Sequence, residues 1–380
     1  MQRYMVGAAV LALTAGAAQA GGIDRSGQSI APIFEDGNYV EFSFGHVKPK
    51  VSGEQVNNLF GPGPVVVVPG LGQSSGNMTG SYNLPGFAFK TDINEKLSAA
   101  IILDSPYGAD VDYSYVDPLA PYAYTGSNAT IDSRGITAVL KYDISDRFSV
   151  HAGARNVTTN GNVTLFNGYQ METTNESDWG YLIGAAYEIP DIALRAALTY
   201  NSAITHNFTT TENGVFDSPM ETVIPQSVNF DFQTGIAEGT LLMASVRWVE
   251  WTAFDISPTA YVASPTNLDN SPLLSYDNDT FTYSLGIGRQ LTDKLSGSVT
   301  LGYEKSTGGF SSNLGPTDGY TSISLGLKYQ VTDGTAISGG IRFAKLGDAE
   351  TQNPSVLGQT FGDFDDNTAT AIGLKISHSF

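Results

Sequence analysis

Cysteine is absent from this 380-residue chain, which excludes disulfides, Cys-ligated zinc, iron–sulfur clusters and thiol nucleophiles. Charge is scarce and one-sided. Charged residues make up 15% of the chain, against about 25% in a typical soluble domain. The 38 acidic and 19 basic side chains leave a formal charge of −19. A surface of that sign repels phosphates, so nucleic acid is not a partner. Beyond the first twenty residues no apolar run approaches the ~20 residues of a spanning helix. A mature chain in a membrane would therefore have to be a closed β-barrel, the other structure that satisfies its own backbone in lipid. Histidine is sparse too. His46, His151, His206 and His378 form no metal-type spacing and no nucleophile elbow. Ser202 and His206 lie four apart on one strand face, about 13 Å, too far for a nucleophile–base pair. No catalysis, cofactor or metal is called for. The acidic run Asp363–Asn367 lacks the Gly and closing Glu of a calcium loop and reads as a solvated loop.

What the chain does have is 42 Gly, 19 Tyr and 19 Phe within a 41% hydrophobic composition, which speaks for β-structure with many turns and against disorder. Its N-terminus reads as a secretory signal peptide over residues 1–20. Arg3 supplies the positive start, Met5 to Ala18 the uncharged run, and Ala18-Gln19-Ala20 the small-residue cleavage site. Cleavage there leaves 18 basic against 38 acidic residues.

From Tyr39 to Phe380 apolar and polar residues alternate with period two. Val40, Phe42 and Phe44 interleave with Glu41 and Ser43, and Ile323, Leu325, Leu327 and Tyr329 with Ser324, Gly326 and Lys328. Fourteen strands are predicted: 39–50, 80–91, 97–116, 131–143, 147–159, 178–189, 192–207, 226–236, 239–252, 278–290, 294–305, 319–331, 335–346 and 367–380. Short turns alternate with long loops, as in outer-membrane barrels. Strand charges such as Lys90, Asp104, Arg195, Glu304 and Lys375 all fall on the polar face, which in a barrel is the lumen. Tyr39, Tyr142, Tyr181, Tyr187, Tyr200, Trp248, Tyr283, Tyr303 and Tyr329 fall near strand ends, as an interfacial girdle requires. A soluble sandwich would alternate equally well but needs neither this girdle nor a chain ending on an apolar strand.

The order of features over residues 37–380 resembles the FadL family of outer-membrane transporters for long-chain fatty acids and other hydrophobic compounds. The resemblance is carried by Ser105-Pro106-Tyr107-Gly108, by Tyr200-Asn201-Ser202 followed by His206, by the run Val246 to Phe254, and by the terminal Phe380. It implies an all-β, 14-stranded antiparallel transmembrane barrel in the outer membrane of a Gram-negative bacterium. The barrel would be monomeric, plugged by its own N-terminus, and opened sideways at a kink in the third strand. The expected organisation is a signal peptide at 1–20, a plug at 21–37 and a barrel at 38–380. One departure stands out: the family plug is longer and carries an Asn-Pro-Ala stretch missing here.

Several segments invite a transport role. Ser105, Pro106, Tyr107 and Gly108 interrupt the third strand, because Pro lacks the ladder donor and Gly weakens pairing. They are candidates for a lateral gate, or for an ordinary bulge or a strand that ends before Pro106 above the bilayer. Ile30, Ile33 and Phe34 suit a plug folded into the lumen, the alternative being a periplasmic tail. The apolar stretches 59–71, with Phe60, Val66 and Leu71, and 115–124 could form a capture groove, or pack together as a cap. A ligand carboxylate would call for an arginine fork, with Arg155 and Arg247 favoured over Arg195 and Arg342, unless these pair with luminal acids. The expected function is passive transport of hydrophobic small molecules, above all long-chain fatty acids, by luminal binding and lateral release into outer-membrane lipid. The alternatives are a diffusion porin for small polar solutes, and an adhesin or structural barrel.

Overall fold

A sheet with one apolar and one polar face leaves no unpaired backbone edge in lipid only if it closes on itself. The computed structural model describes residues 22–60, 67–68, 70–115 and 121–380, with the backbone alone at 60, 67 and 68. The expected signal peptide therefore lies outside the described residues, as do Gly21 and Val66.

Fourteen antiparallel strands form the barrel. β1 spans Tyr39–Lys50 and β2 Tyr82–Asn94. β3 comes in two parts, Leu97–Asp104 and Gly108–Asp112. β4 is Asn128–Ser145 and β5 Phe148–Thr164. β6 (Gln170–Thr173, Glu176–Ile189), β7 (Leu194–Asn201, Ile204–Glu212) and β8 (Phe216–Ile224, Ser227–Ala237) are also in two parts. β9 is Thr240–Val249, β10 Thr280–Gln290, β11 Leu295–Glu304, β12 Tyr320–Gln330, β13 Thr335–Leu346 and β14 Thr368–Ser379. β14 pairs back onto β1 from Tyr39↔Ser379 to Lys50↔Thr368, which closes the wall.

The outward face is apolar all round. Phe42, Ile101, Leu140, Ile183, Leu198, Leu285, Leu301, Leu325 and Leu374 are all exposed. Tyr142, Tyr181, Tyr187, Tyr283, Tyr303 and Tyr329 are exposed too. Tyr39 departs from the expected girdle. It shares the inward phase of Glu41, is buried, and donates its hydroxyl to Glu41 at 2.6 Å. Strands β5 to β8 run further than the predicted 147–159, 178–189, 192–207 and 226–236. Their outer parts alternate buried Ile204, His206, Phe208, Thr210 and Glu212 with exposed Thr205, Asn207, Thr209 and Thr211. Above the bilayer the outward row meets water and turns polar, so the apolar signal that marks a strand in lipid is lost although the period of two persists.

Leu325→Arg sets a cation on the lipid-facing row midway along β12. It is expected to lower the folding free energy in lipid vesicles by about 2–4 kcal/mol, read by denaturant titration. The inward Thr300→Arg should lose less.

Candidate functional site

Two strands serve as rulers through the lumen. Inward residues on β5 pass from His151 through Arg155 and Val157 to Thr159, Gly161 and Val163. On β7 they pass from Thr199 through Asn201 and Ile204 to His206 and Phe208. Each level meets a different set of partners.

At the inner end the chain before β1 lies inside the barrel. A short 3₁₀ turn, Ala31–Phe34, carries Pro32 at its start, where a missing N–H costs nothing. Ile30 and Ile33 are buried against Ala88, Ala100, Ile102, Val139 and Leu182. Phe34 meets His151 edge-on, with ring centroids 5.7 Å apart, and lies 4.8 Å beneath the Arg195 guanidinium.

The next level is polar. Arg247 Nε donates to Asp24 Oδ2 at 2.7 Å, and its Nη1 donates to Asn229 Oδ1 at 2.6 Å and Ser227 Oγ at 3.0 Å. Arg155 donates to Thr137 Oγ1 (2.8 Å), Asn201 Oδ1 (3.2 Å) and the Gln28 carbonyl (3.3 Å). Gln28 itself donates to the Tyr107 hydroxyl at 2.6 Å and accepts from Ser227 at 2.9 Å. Gly27 and Gln28 both have positive φ, +64° and +54°, and this left-handed pair turns the segment so that its carbonyls meet Asn229 and Arg155. Arg155 and Arg247, expected to bind a ligand carboxylate, are instead bonded to the N-terminal segment and its neighbours. Three donors of Arg155 and four of Arg247 have partners, and of the two only Arg247 is paired with an acid among the described residues, Asp24.

Above this deck lies an apolar one: Ile23, Tyr107, Val157, Ile204, Ile224 and Val249, covered by Trp251 and Phe254 from the β9–β10 connection. It opens into a pocket whose walls are mostly apolar. Ala109, Val111, Ile131, Val163, Met171, Phe208, Met220 and Leu274 wall it, with Thr159, His206 and Thr222 among its polar residues. His206 Nδ1 is 2.8 Å from Asp178 Oδ2 and its Nε2 is 3.3 Å from Thr159 Oγ1. Ser202 bonds the Ala203 carbonyl instead, so no Ser–His pair forms. Most of these pocket residues went unremarked in the sequence because they stand on the Thr- and Asn-rich outer strand parts. The signal was the persisting alternation.

The outer mouth is capped. Tyr113, Tyr122, Tyr124, Phe361 and Phe364 form one buried cluster with Leu59 and Leu346, and Tyr113 stacks on Tyr122 with centroids 5.6 Å apart. The described parts of the two apolar loops thus mostly pack as a cap. Leu71, expected to bind substrate, is 59% exposed and borders no part of the pocket. Its companions in that expectation are Val66, outside the described residues, and Phe60, whose side chain is not described.

The wall beside the pocket is interrupted. β2 and β3 pair from Asn94↔Leu97 to Phe87↔Leu103, and there the ladder stops. Ser105, Pro106 and Tyr107 separate the two parts of β3. The outer part, from Gly108, pairs with β4, and it rejoins the β2 side through the bridge Thr79↔Val111 and nearby backbone bonds. On the β4 side the Tyr107 amide and carbonyl are both taken by Ser133 Oγ, at 2.8 and 2.6 Å. On the β2 side the N-terminal segment steps in. Arg25 N–H donates to the Pro106 carbonyl at 2.8 Å, and Gly108 N–H donates to the Ile23 carbonyl at 2.9 Å. Asp24 and Tyr107 form the antiparallel bridge between them, and Ser26 Oγ donates to Asp104 Oδ2 at 2.6 Å. The Arg25 guanidinium lies 4.1 Å from the centre of the Tyr82 ring and against Gly108. Burial lowers its pKa from the usual arginine value, opposed by Tyr82, Asp132 and Asp110. The pocket, the segment Ile23–Ser26 and the gap thus lie in series.

A family of outer membrane transport proteins, described as OMPP1/FadL/TodX, matches this chain over residues 36–380. Among solved structures, a FadL homologue from Pseudomonas aeruginosa superposes with a TM-score of 0.71 at 14% identity, over 100% of each chain. The toluene transporter TodX of Pseudomonas putida gives 0.62 at 11%, again over 100% of each. The toluene transporter TbuX of Ralstonia pickettii gives 0.55 at 13%, over 91% of this chain and 90% of its own. At these identities the likeness is one of fold. No curated protein matches the sequence.

Arg247→Ala leaves the partly buried Asp24 without its cation, a loss below the ~3–5 kcal/mol of a fully buried pair. The N-terminal segment is expected to undock, and single-channel recording in planar bilayers should show a higher and noisier ion conductance than the parent.

Proposed function

Because the chain belongs to the OmpP1/FadL/TodX family of outer-membrane transporters for hydrophobic compounds, we propose that its own ligand binds in the apolar pocket and leaves sideways through the β2–β3 gap. The observation that carries this reading is the placement of that pocket. One wall of it is the outer part of β3, next to the break, and among the described residues the N-terminal segment lies between pocket and gap. Transfer of apolar surface from water supplies the driving force for entry, at about 25 cal/mol per Å². The ligand's own gradient supplies the direction.

The route towards the periplasm is unfavourable for such a ligand. It would have to cross the deck of Arg155, Arg247, Asp24 and Gln28, whose hydrogen bonds it could not replace. The sideways route ends at the outward Phe87, Leu103 and Ile136 and then in lipid. Ser105, Pro106, Tyr107 and Gly108 act here as the gate. Ile30, Ile33 and Phe34 act as the plug that keeps polar solutes from following, which sets this reading against a diffusion porin.

Long-chain fatty acids are the proposed substrate class, on the strength of the family. A neutral aromatic is a second reading. It is favoured by the engagement of both Arg155 and Arg247 elsewhere, which leaves no arginine on the pocket wall.

The test is uptake of labelled long-chain fatty acid and labelled toluene by a bacterium lacking its own transporters of this kind. The native protein should restore saturable uptake of at least one of them. Thr222→Trp, which fills the pocket, should cut uptake about tenfold, equivalent to ~1.4 kcal/mol of lost binding. Pro106→Val, which restores the missing ladder donor, should insert normally and transport less. Free entry of small sugars without saturable uptake of either label would establish the porin reading instead.

A further inference from the structure

The Arg25 side chain is unusual among the groups lining the lumen. It is 7% exposed, yet no hydrogen bond or ion pair to its guanidinium occurs among the described residues. Arg155 and Arg247, one level deeper, have most of their donors satisfied. What holds Arg25 is weaker and less directional. The Tyr82 ring faces it at 4.1 Å, and Asp110 and Asp132 attract it from beyond ion-pair distance. Cation–π contacts of this kind contribute modestly. This side chain is parked in its place without being anchored.

Its place is the gap. Arg25 N–H is bonded to the Pro106 carbonyl, so its Cα lies at the edge of the break in β3. The guanidinium then reaches between Tyr82 of β2 and Gly108 of β3, the two strands that no longer pair. A methyl group added at Gly108 would overlap the guanidinium carbon and both of its nearest nitrogens. Gly108 has ordinary backbone angles, being absent from the positive-φ residues, so the glycine is required by this close approach and not by its conformation. Sequence and structure thus agree that the space beside Gly108 is reserved for the Arg25 head group.

We propose that Arg25 is the stopper of the lateral gap: its guanidinium blocks the opening at rest and is pushed aside, without loss of the rest of the N-terminal segment, when a hydrophobic ligand passes. This rests on the lateral-release reading above. The remaining contacts of the segment, Asp24 to Arg247 and Gln28 to Tyr107, point the other way into the lumen and survive the swing of one side chain. The stopper also sets selectivity. A polar solute gains nothing by displacing it, whereas an apolar one exchanges the pocket for the lipid beyond.

The experiment follows entry of N-phenyl-1-naphthylamine, a neutral hydrophobic dye, into cells carrying the full-length protein, with ion conductance of the purified barrel measured in parallel. Arg25→Ala should raise the dye rate up to about tenfold, the ceiling when the open state is populated at about a tenth at rest. Conductance should stay at the parental level. Gly108→Ala should raise the dye rate as well, by expelling the guanidinium, and the double variant should be no faster than Arg25→Ala alone. Parental or lower dye rates in Arg25→Ala would overturn the proposal. So would a rise in conductance alongside the dye rate, since Arg25 would then be a tether for the whole plug. If neither the parent nor Arg25→Ala admits dye faster than cells without the barrel, the lateral-release reading itself fails, and the stopper with it.

Discussion

Everything in this molecule depends on one constraint: in lipid, each backbone N–H and C=O must find a partner within the protein. Fourteen strands meet it by closing β14 onto β1. At Pro106 the solution lapses, because proline brings no donor and the β2–β3 ladder ends at Leu103. The orphaned Pro106 carbonyl and Gly108 amide would make an open edge at membrane depth, were it not for Arg25 and Ile23. The N-terminal segment is therefore part of the wall as well as part of the filling, and its position is dictated by the two groups it satisfies.

The lumen is organised by the same logic in a second direction. Apolar levels at Ile30 and Ile33, around Ile204 and Ile224, and beneath the Tyr122 cap are separated by one polar level. That level pins the segment with bonds of 2.6 to 3.3 Å: Gln28 to Tyr107, Arg247 to Asp24 and Arg155 to the Gln28 carbonyl. A greasy molecule meets apolar walls above it and saturated polar groups within it. The pocket lies on the apolar side of that boundary, beside the break.

The barrel was legible in the sequence because its physics is local. Alternation along Phe42, Phe44, Leu325 and Leu374 records which side of the wall meets lipid, and a lone proline in such a row marks a break. The outer strand parts were not read, since Thr209 and Thr211 face water and carry no apolar mark. Tyr39 was misplaced because an aromatic at a strand end suits either the girdle or a bond to a luminal acid, and the residue type alone does not say which. The two arginines were noticed for their charge, but their partners come from residues some 20 to 220 positions away, which no spacing reveals. Arg25 was passed over among the polar residues of a short segment. Its meaning appears once Gly108, Tyr82 and Pro106 are seen around it.

The closure of β14 on β1 also orders events in time. Tyr39 finds Ser379 only when almost the whole chain has been delivered, and contacts of such long range form late because the loop they close is entropically costly. The segment preceding β1 has no lumen to enter until then. The hole beside Pro106 can be filled only where a lumen exists to hold the segment, so the closure that makes the wall also makes the place for its patch.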